Sequence, residues 1–213
     1  MASELAHEEF FGVPRRAHGG RTFVYVLQCR GEDLLKVGFS HQPIVRFHAL
    51  HPRFYAFFDL DESFLIETDR LKDARRIERL FIERWPEHQA PAPLAIKPTA
   101  GGHTEWFRGV GDSVFQIAQR LAERYGHPVH APVRLWLRAQ MIERADLLFA
   151  WSDRLFQIVD WQDKNQHDQA RDPRYRRMLC DALDAMESVG IESKELVPEP
   201  VHQWYLSSCA LRS

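Results

Sequence analysis

Near its start the chain carries two short apolar stretches of strand character, and helical spacing follows. Thr22–Cys29 (TFVYVLQC) is rich in β-branched and aromatic residues and reads as a strand. Arg30–Asp33 contains Gly31 and suits a tight turn. Leu34–Phe39 (LLKVGF) then reads as the returning strand of a β-hairpin. Ser40-His41-Gln42-Pro43 marks a helix start, because proline fits the first helical position. That helix runs to Leu50 and is stopped by Pro52. Phe54–Leu60 reads as a third strand, which Phe64–Glu67 extends or pairs with. From Arg70 to Trp85, the residues Leu71, Ala74, Ile77, Phe81 and Trp85 recur at helical spacing until Pro86. Residues 87–103 read as a loop, Thr104–Phe107 as a short strand, and Val114–Tyr125 as a helix ended by Gly126 and Pro128.

Beyond Pro132 the pattern is helical. Val133–Asp160 accommodates one long helix or two, with Trp136, Ile142, Phe149, Phe156 and Val159 on apolar faces. Asp172 caps a further helix to Val189, and residues 191–213 are mixed. The expected organisation is a leader over 1–20, an α+β domain over 21–127 and a helical C-terminal domain over 128–213. No internal repeat is present.

Composition narrows the class. The chain has 213 residues, 45% hydrophobic and 27% charged, which suffices for a core without staples. Collagen, coiled coil and wholesale disorder are excluded. Apolar runs are too short for a membrane span, and the acidic start lacks an apolar signal core. A cytoplasmic location without a membrane partner is expected. Cys29, Cys180 and Cys209 are widely spaced with no CxxC pair, so neither a disulfide framework nor a cysteine zinc site is expected. A net charge of −2 removes the argument from a strongly basic chain, but a local patch still suffices to bind phosphate. No HExxH, GxxxxGKS, GxSxG or GxGxxG pattern occurs.

The chemistry-bearing residues lie in the first half. Glu78 sits at the edge of an apolar helix face, with Ala74 and Ile82 one turn away. A carboxylate turned toward a core must be paired, hydrogen-bonded or metal-bound. The plain reading is a buried salt bridge to an arginine such as Arg46. Arg46 itself projects from the edge of the Ile44, Phe47 and Leu50 stripe. Tyr25 and Lys36 taken singly read as a strand tyrosine and a surface lysine. His41 reads as an exposed helix-start histidine or an accessory proton carrier. Arg171, Arg174, Arg176 and Arg177 form a basic cluster, read as a solvated helix start with acids nearby or as a DNA-contacting face.

Together these residues form a pattern. FVYVL is followed by KVGFS, with Lys36 eleven residues after Tyr25; Arg46 comes ten residues later, and Glu78 lies in ARRIERLFIERW. This order resembles the GIY-YIG nuclease superfamily over roughly residues 20–125. Val24-Tyr25 stands at the IY of GIY, and Lys36-Val37-Gly38 stands at YIG. KVGFS and the closing TEWF are similar to a phage-associated branch with KIG or KVG in place of YIG and an EWF element.

The resemblance implies a small three-stranded antiparallel sheet flanked by helices. It implies metal-dependent hydrolysis of nucleic-acid phosphodiesters, DNA being favoured, with one Mg2+ or Mn2+. Tyr25 or Lys36 would activate water, Arg46 would steady the phosphate and Glu78 would hold the metal. Glu105 stands as a second metal-side carboxylate or only as a strand cap. Gly38, Ser40 and His41 would line the substrate, with Arg75, Arg76 and Arg79 guiding its backbone. The residue types suit that chemistry. A planar guanidinium matches phosphate oxygens, and magnesium commonly takes one or two protein carboxylates while keeping several waters. A tyrosine needs nearby positive charge to act as a base at pH 7, which Lys36 and Arg46 would supply.

Two departures set the alternatives. Lys36 replaces the family's second tyrosine, and the late asparagine is missing, Asn165 lying far outside the matched region. These motivate a nucleic-acid-binding module that does not cleave. A third reading is a protein-interaction domain whose C-terminal helices, at Trp151 or Phe156, carry a partner or a second copy.

Overall fold

A computed structural model of the chain describes residues 20–97, 100–102, 104–167 and 170–208. The expected leader lies almost wholly outside the described residues. The protein is α+β, and its described residues divide into two compact units, the first ending in sequence at Trp136 and the second starting at Leu137.

The first unit is built on a hairpin of β1 (Thr22–Cys29) and β2 (Leu35–Ser40). The turn between them uses Gly31 at φ +72°, a left-handed conformation that glycine adopts without steric cost. Helix α1 (Pro43–Leu50) starts on its proline, as the sequence predicts. The predicted third strand begins later than expected. Phe54–Phe57 is a short helix, α2, and β3 spans Phe58–Thr68. Aromatic residues suit either state, and hydrogen bonds from Ala56 N and Phe57 N to Arg53 O close the helical turn. Helix α3 (Leu71–Arg84) has Asp73 in its first turn and Arg84 in its last, which suits the helix dipole. After it come β4 (Trp106–Phe107), α4 (Gly111–Tyr125) and β5 (Val129–His130).

The sheet has five antiparallel strands in the order β4-β2-β1-β3-β5 rather than the expected three. Both added strands are two-residue edges: β4 falls within the short strand expected over Thr104–Phe107, and β5 is too short to show a period in sequence. The register sets Tyr25 opposite Gly38 and Leu65, and Lys36 opposite Leu27 and Trp106. Alternation therefore sorts the residues by face. Val24, Val26, Leu35, Val37, Phe64 and Ile66 pack with Ala74, Ile77 and Phe81 of α3 and Val114 and Ala118 of α4. The other face carries Tyr25 and Lys36. There Tyr25 meets Phe47 of α1 edge-on at 5.5 Å, and Phe47 meets Phe54 at 5.8 Å.

The second unit is helical in its described residues. Helix α5 (Val133–Ile142) carries the boundary between the units and is followed by α6 (Ala145–Asn165), α7 (Pro173–Ser188) and α8 (Glu199–Ser208). The stretch read as one helix or two is thus two. Leu148, Trp151, Leu155, Leu179, Leu183 and Met186 are buried. Trp151 is therefore a core residue rather than a surface for a partner, and Phe156 packs on Trp204 at 6.2 Å. Among the arginines of the basic cluster, Arg171 and Arg176 pair with Asp163, and Arg174 pairs with Asp172. Cys29 is a buried free thiol, whereas Cys180 is disulfide-bonded, a bond that the cysteine spacing did not suggest. No described helix is long and apolar enough to cross a membrane.

Candidate active site

The hairpin places two functional side chains on one face because Tyr25 and Lys36 share the parity of that face. Tyr25 is 1% exposed and Lys36 fully buried. The Tyr25 ring lies across Gly38: a Cβ there would sit 2.3 Å from the Tyr25 hydroxyl. Gly38, expected to line substrate, instead clears the space that Tyr25 occupies.

Arg46 reaches this pair from α1. Its Nε donates to the Tyr25 hydroxyl at 3.0 Å, and Nη1 donates to the Ala100 carbonyl at 2.5 Å. Lys36 Nζ donates to the Gly102 carbonyl at 2.9 Å and forms an ion pair with Glu105. It also lies 5.7 Å from the centroid of the Trp106 ring. The carbonyls of Ala100 and Gly102 were not foreseen. They belong to the segment PTAGG before β4, whose two glycines were the only trace of it in sequence. Gly102 takes φ +70°, and a Cβ there would crowd Lys36 Nζ and Glu105 Oε2 at 2.5 Å each.

Glu78 comes from α3. It is half-buried and has no hydrogen-bond or ion-pair partner among the described residues. The plain reading, a salt bridge to Arg46, is not what the structure shows, since Arg46 spends its described hydrogen bonds on Tyr25 and Ala100. Burial, then the charge of Glu105, pushes the Glu78 carboxyl up to about 7, against the opposing pull of Lys36, Arg46 and Arg75. Burial likewise pushes Tyr25 up to about 12, although Arg46 pulls the other way. The nearby cations therefore do not make Tyr25 a base at neutral pH. Burial lowers Lys36 from its ordinary range, and the hydrogen bond to Glu105 opposes that.

The remaining expected residues lie around this cluster. Ser40 Oγ accepts from Gln42 N at 3.0 Å and shapes the entry to α1. His41 is exposed, with Nδ1 3.0 Å from Thr22 Oγ1 and 3.1 Å from the Arg21 carbonyl oxygen. Arg75, Arg76 and Arg79 are exposed on α3 and line a groove that Glu78 also reaches. Arg79 is paired with Glu83 at 3.3 Å.

A divalent cation fits this donor set in one respect. A half-buried carboxylate with no partner and a raised pKa gains most from a cation, and Mg2+ needs only one or two protein carboxylates. Among the described residues no group of three or more His, Cys, Asp or Glu side chains is placed to hold a metal ion, so the protein donors here are one or two carboxylates. In comparisons with known proteins, the chain matches no family model, no curated protein and no solved structure.

Proposed function

We propose that the protein is a metal-dependent endonuclease of the GIY-YIG type acting on nucleic acid, with DNA favoured. One observation carries the reading. Arg46 of α1 bonds to Tyr25 of β1, Lys36 of β2 pairs with Glu105 on the approach to β4, and the charges of Arg46, Lys36 and Glu105 all act on Glu78 of α3. Tyr25, Lys36, Arg46 and Glu78 are the residues that the resemblance assigns to the reaction, and Glu105 is the carboxylate read as a second metal-side group or a strand cap.

The roles follow from the geometry. Arg46 has guanidinium N–H groups beyond those given to Tyr25 and Ala100, and these grip the oxygens of the target phosphate. Tyr25 stays protonated and fixes the Arg46 plane. Lys36 is fully buried and ion-paired with Glu105, so it adds a fixed positive charge beside the phosphate rather than taking a proton. Glu78 would hold Mg2+ or Mn2+, and Glu105 would serve as the second carboxylate. A metal bound there would supply charge neutralisation at the leaving oxygen.

The reading is tested on plasmid, single-stranded DNA and RNA with Mg2+, Mn2+ or EDTA. Cleavage is expected only with metal and is lost in Glu78→Ala and Arg46→Ala. One observation favours a second reading, a nucleic-acid-binding module without cleavage. Lys36 is fully buried and committed to Glu105 and Gly102. Metal-independent, salt-sensitive binding without cleavage on any substrate supports that module.

A further inference from the structure

Beside the cluster, β2 and α3 frame an open groove of about 880 Å3. Phe39, Lys72, Arg75, Arg76, Glu78 and Ile82 are among its lining residues. Lys72, Arg75 and Arg76 are without an ion pair among the described residues. Phe39 is half-buried; it packs against the sheet core, and the Arg75 guanidinium carbon lies 5.9 Å from its ring centroid.

This combination is more than a phosphate track. A stripe of cations binds any nucleic-acid backbone without needing an aromatic ring. A guanidinium plane or aromatic ring at the groove offers a stacking surface as well. In an intact duplex both faces of each base are already covered by neighbours, so such a surface is useful only to an unpaired base. Glu78 belongs to the same groove and to the charge cluster of Arg46 and Lys36. The stacking surface therefore lies beside the phosphate position that the nuclease reading assigns.

We propose that Phe39 and Arg75 form a stacking shelf for an unpaired base next to the target phosphate, which makes the substrate single-stranded or locally unpaired DNA. The proposal rests on the nuclease reading and deepens it. Arg75 contributes its plane and charge, Phe39 supports that plane, and Lys72 and Arg76 track the flanking phosphates.

The test uses the full chain in EDTA, so that binding is read without cleavage. The probes are a single-stranded DNA carrying 2-aminopurine and the same strand annealed into a duplex. Base–aromatic stacking of about 1–3 kcal/mol corresponds to roughly 5- to 150-fold in affinity. The single strand is expected to bind at least about tenfold more tightly than the duplex, with quenching of the 2-aminopurine fluorescence. Phe39→Leu, checked for folding by its thermal melt, should lose that preference and the quenching while duplex affinity stays unchanged. Phe39→Trp should keep both. Equal affinity for the two probes, or an equal effect of Phe39→Leu on both, overturns the shelf and leaves the nuclease reading standing. Failure to bind either DNA at low salt overturns the shelf together with DNA as the substrate, and leaves the nuclease reading to RNA alone.

Discussion

Arg46 donates from Nε to the hydroxyl of Tyr25 at 3.0 Å, and this bond ties α1 to the middle of β1. Tyr25 is buried and held protonated, its pKa near 12, so its service is to the guanidinium rather than to a water molecule. Tyr25→Phe keeps the edge-on contact with Phe47 and removes the acceptor. The expected stability loss is about 1 kcal/mol, the net worth of one hydrogen bond. Cleavage should fall roughly 10- to 100-fold, because a misplaced phosphate clamp costs rate steeply. The pH–rate profile of the variant should keep its shape. A profile that lost its rise with pH would make Tyr25 the proton acceptor and refute this assignment.

Gly38 is required for space. A Cβ would meet the Tyr25 hydroxyl at 2.3 Å and its ring carbon Cζ at 2.4 Å, so the ring must leave its place. Gly38→Ala should destabilise the protein by about 1–3 kcal/mol, the usual range for overpacking, as read by urea denaturation. Tyr25→Phe still carries the ring carbon, so it should rescue little of that loss. Tyr25→Ala in the Gly38→Ala background should remove the clash. Independent, additive effects of the two substitutions would argue against direct contact.

The sequence discloses the parts of the fold that repeat a period. β1 and α1 are found at the expected residues because strand-forming residues and a helix-start proline mark them locally. β4 and β5 are two-residue strands whose existence depends on a neighbouring strand edge, at Leu35–Lys36 and Leu65–Ile66. β4 still falls within Thr104–Phe107, the stretch that reads as a short strand, whereas no local pattern announces β5. The site divides in the same way. Tyr25, Lys36, Arg46 and Glu78 are grouped only by the resemblance that their order along the chain carries; taken singly, each has an ordinary structural reading. The Ala100 and Gly102 carbonyls are backbone groups, and nothing in residue type shows where a carbonyl points. The role of Gly38 also appears only when Tyr25 is placed across it.

Lys36 and Glu105 form an ion pair in which the lysine is fully buried and the glutamate a quarter exposed. Glu105→Ala leaves the ammonium with the Gly102 carbonyl as its remaining hydrogen-bond partner. Stranding a buried charge costs about 3 kcal/mol, so a large loss in urea stability is expected at pH 7. Lys36→Met combined with Glu105→Leu should recover most of it. The deficit of Glu105→Ala should also shrink as pH rises. A lysine held below its ordinary range binds fewer protons folded than unfolded, so its folding penalty fades as pH climbs to the free lysine value. A deficit independent of pH up to that range would show that lost packing, not stranded charge, is responsible.

Glu78 should make both stability and metal binding depend on pH, with opposite signs. Its carboxyl titrates near 7 in the fold against 4.5 when free. Between those values the folded state binds more protons than the unfolded, so stability is greatest below about 4.5 and falls as pH rises to about 7. Glu78→Gln removes that fall and should melt above wild type at pH 8, by a few degrees for each kcal/mol relieved. Metal needs the ionised carboxylate. The ionised fraction rises about tenfold between pH 6 and pH 8 for a group titrating near 7, so Mn2+ affinity measured by calorimetry should rise about tenfold with it. Glu78→Gln should bind Mn2+ weakly at both pH values. Affinity that is flat across this range, or unchanged in Glu78→Gln, would remove Glu78 as the metal's carboxylate and leave its elevated pKa a consequence of burial beside Glu105 alone.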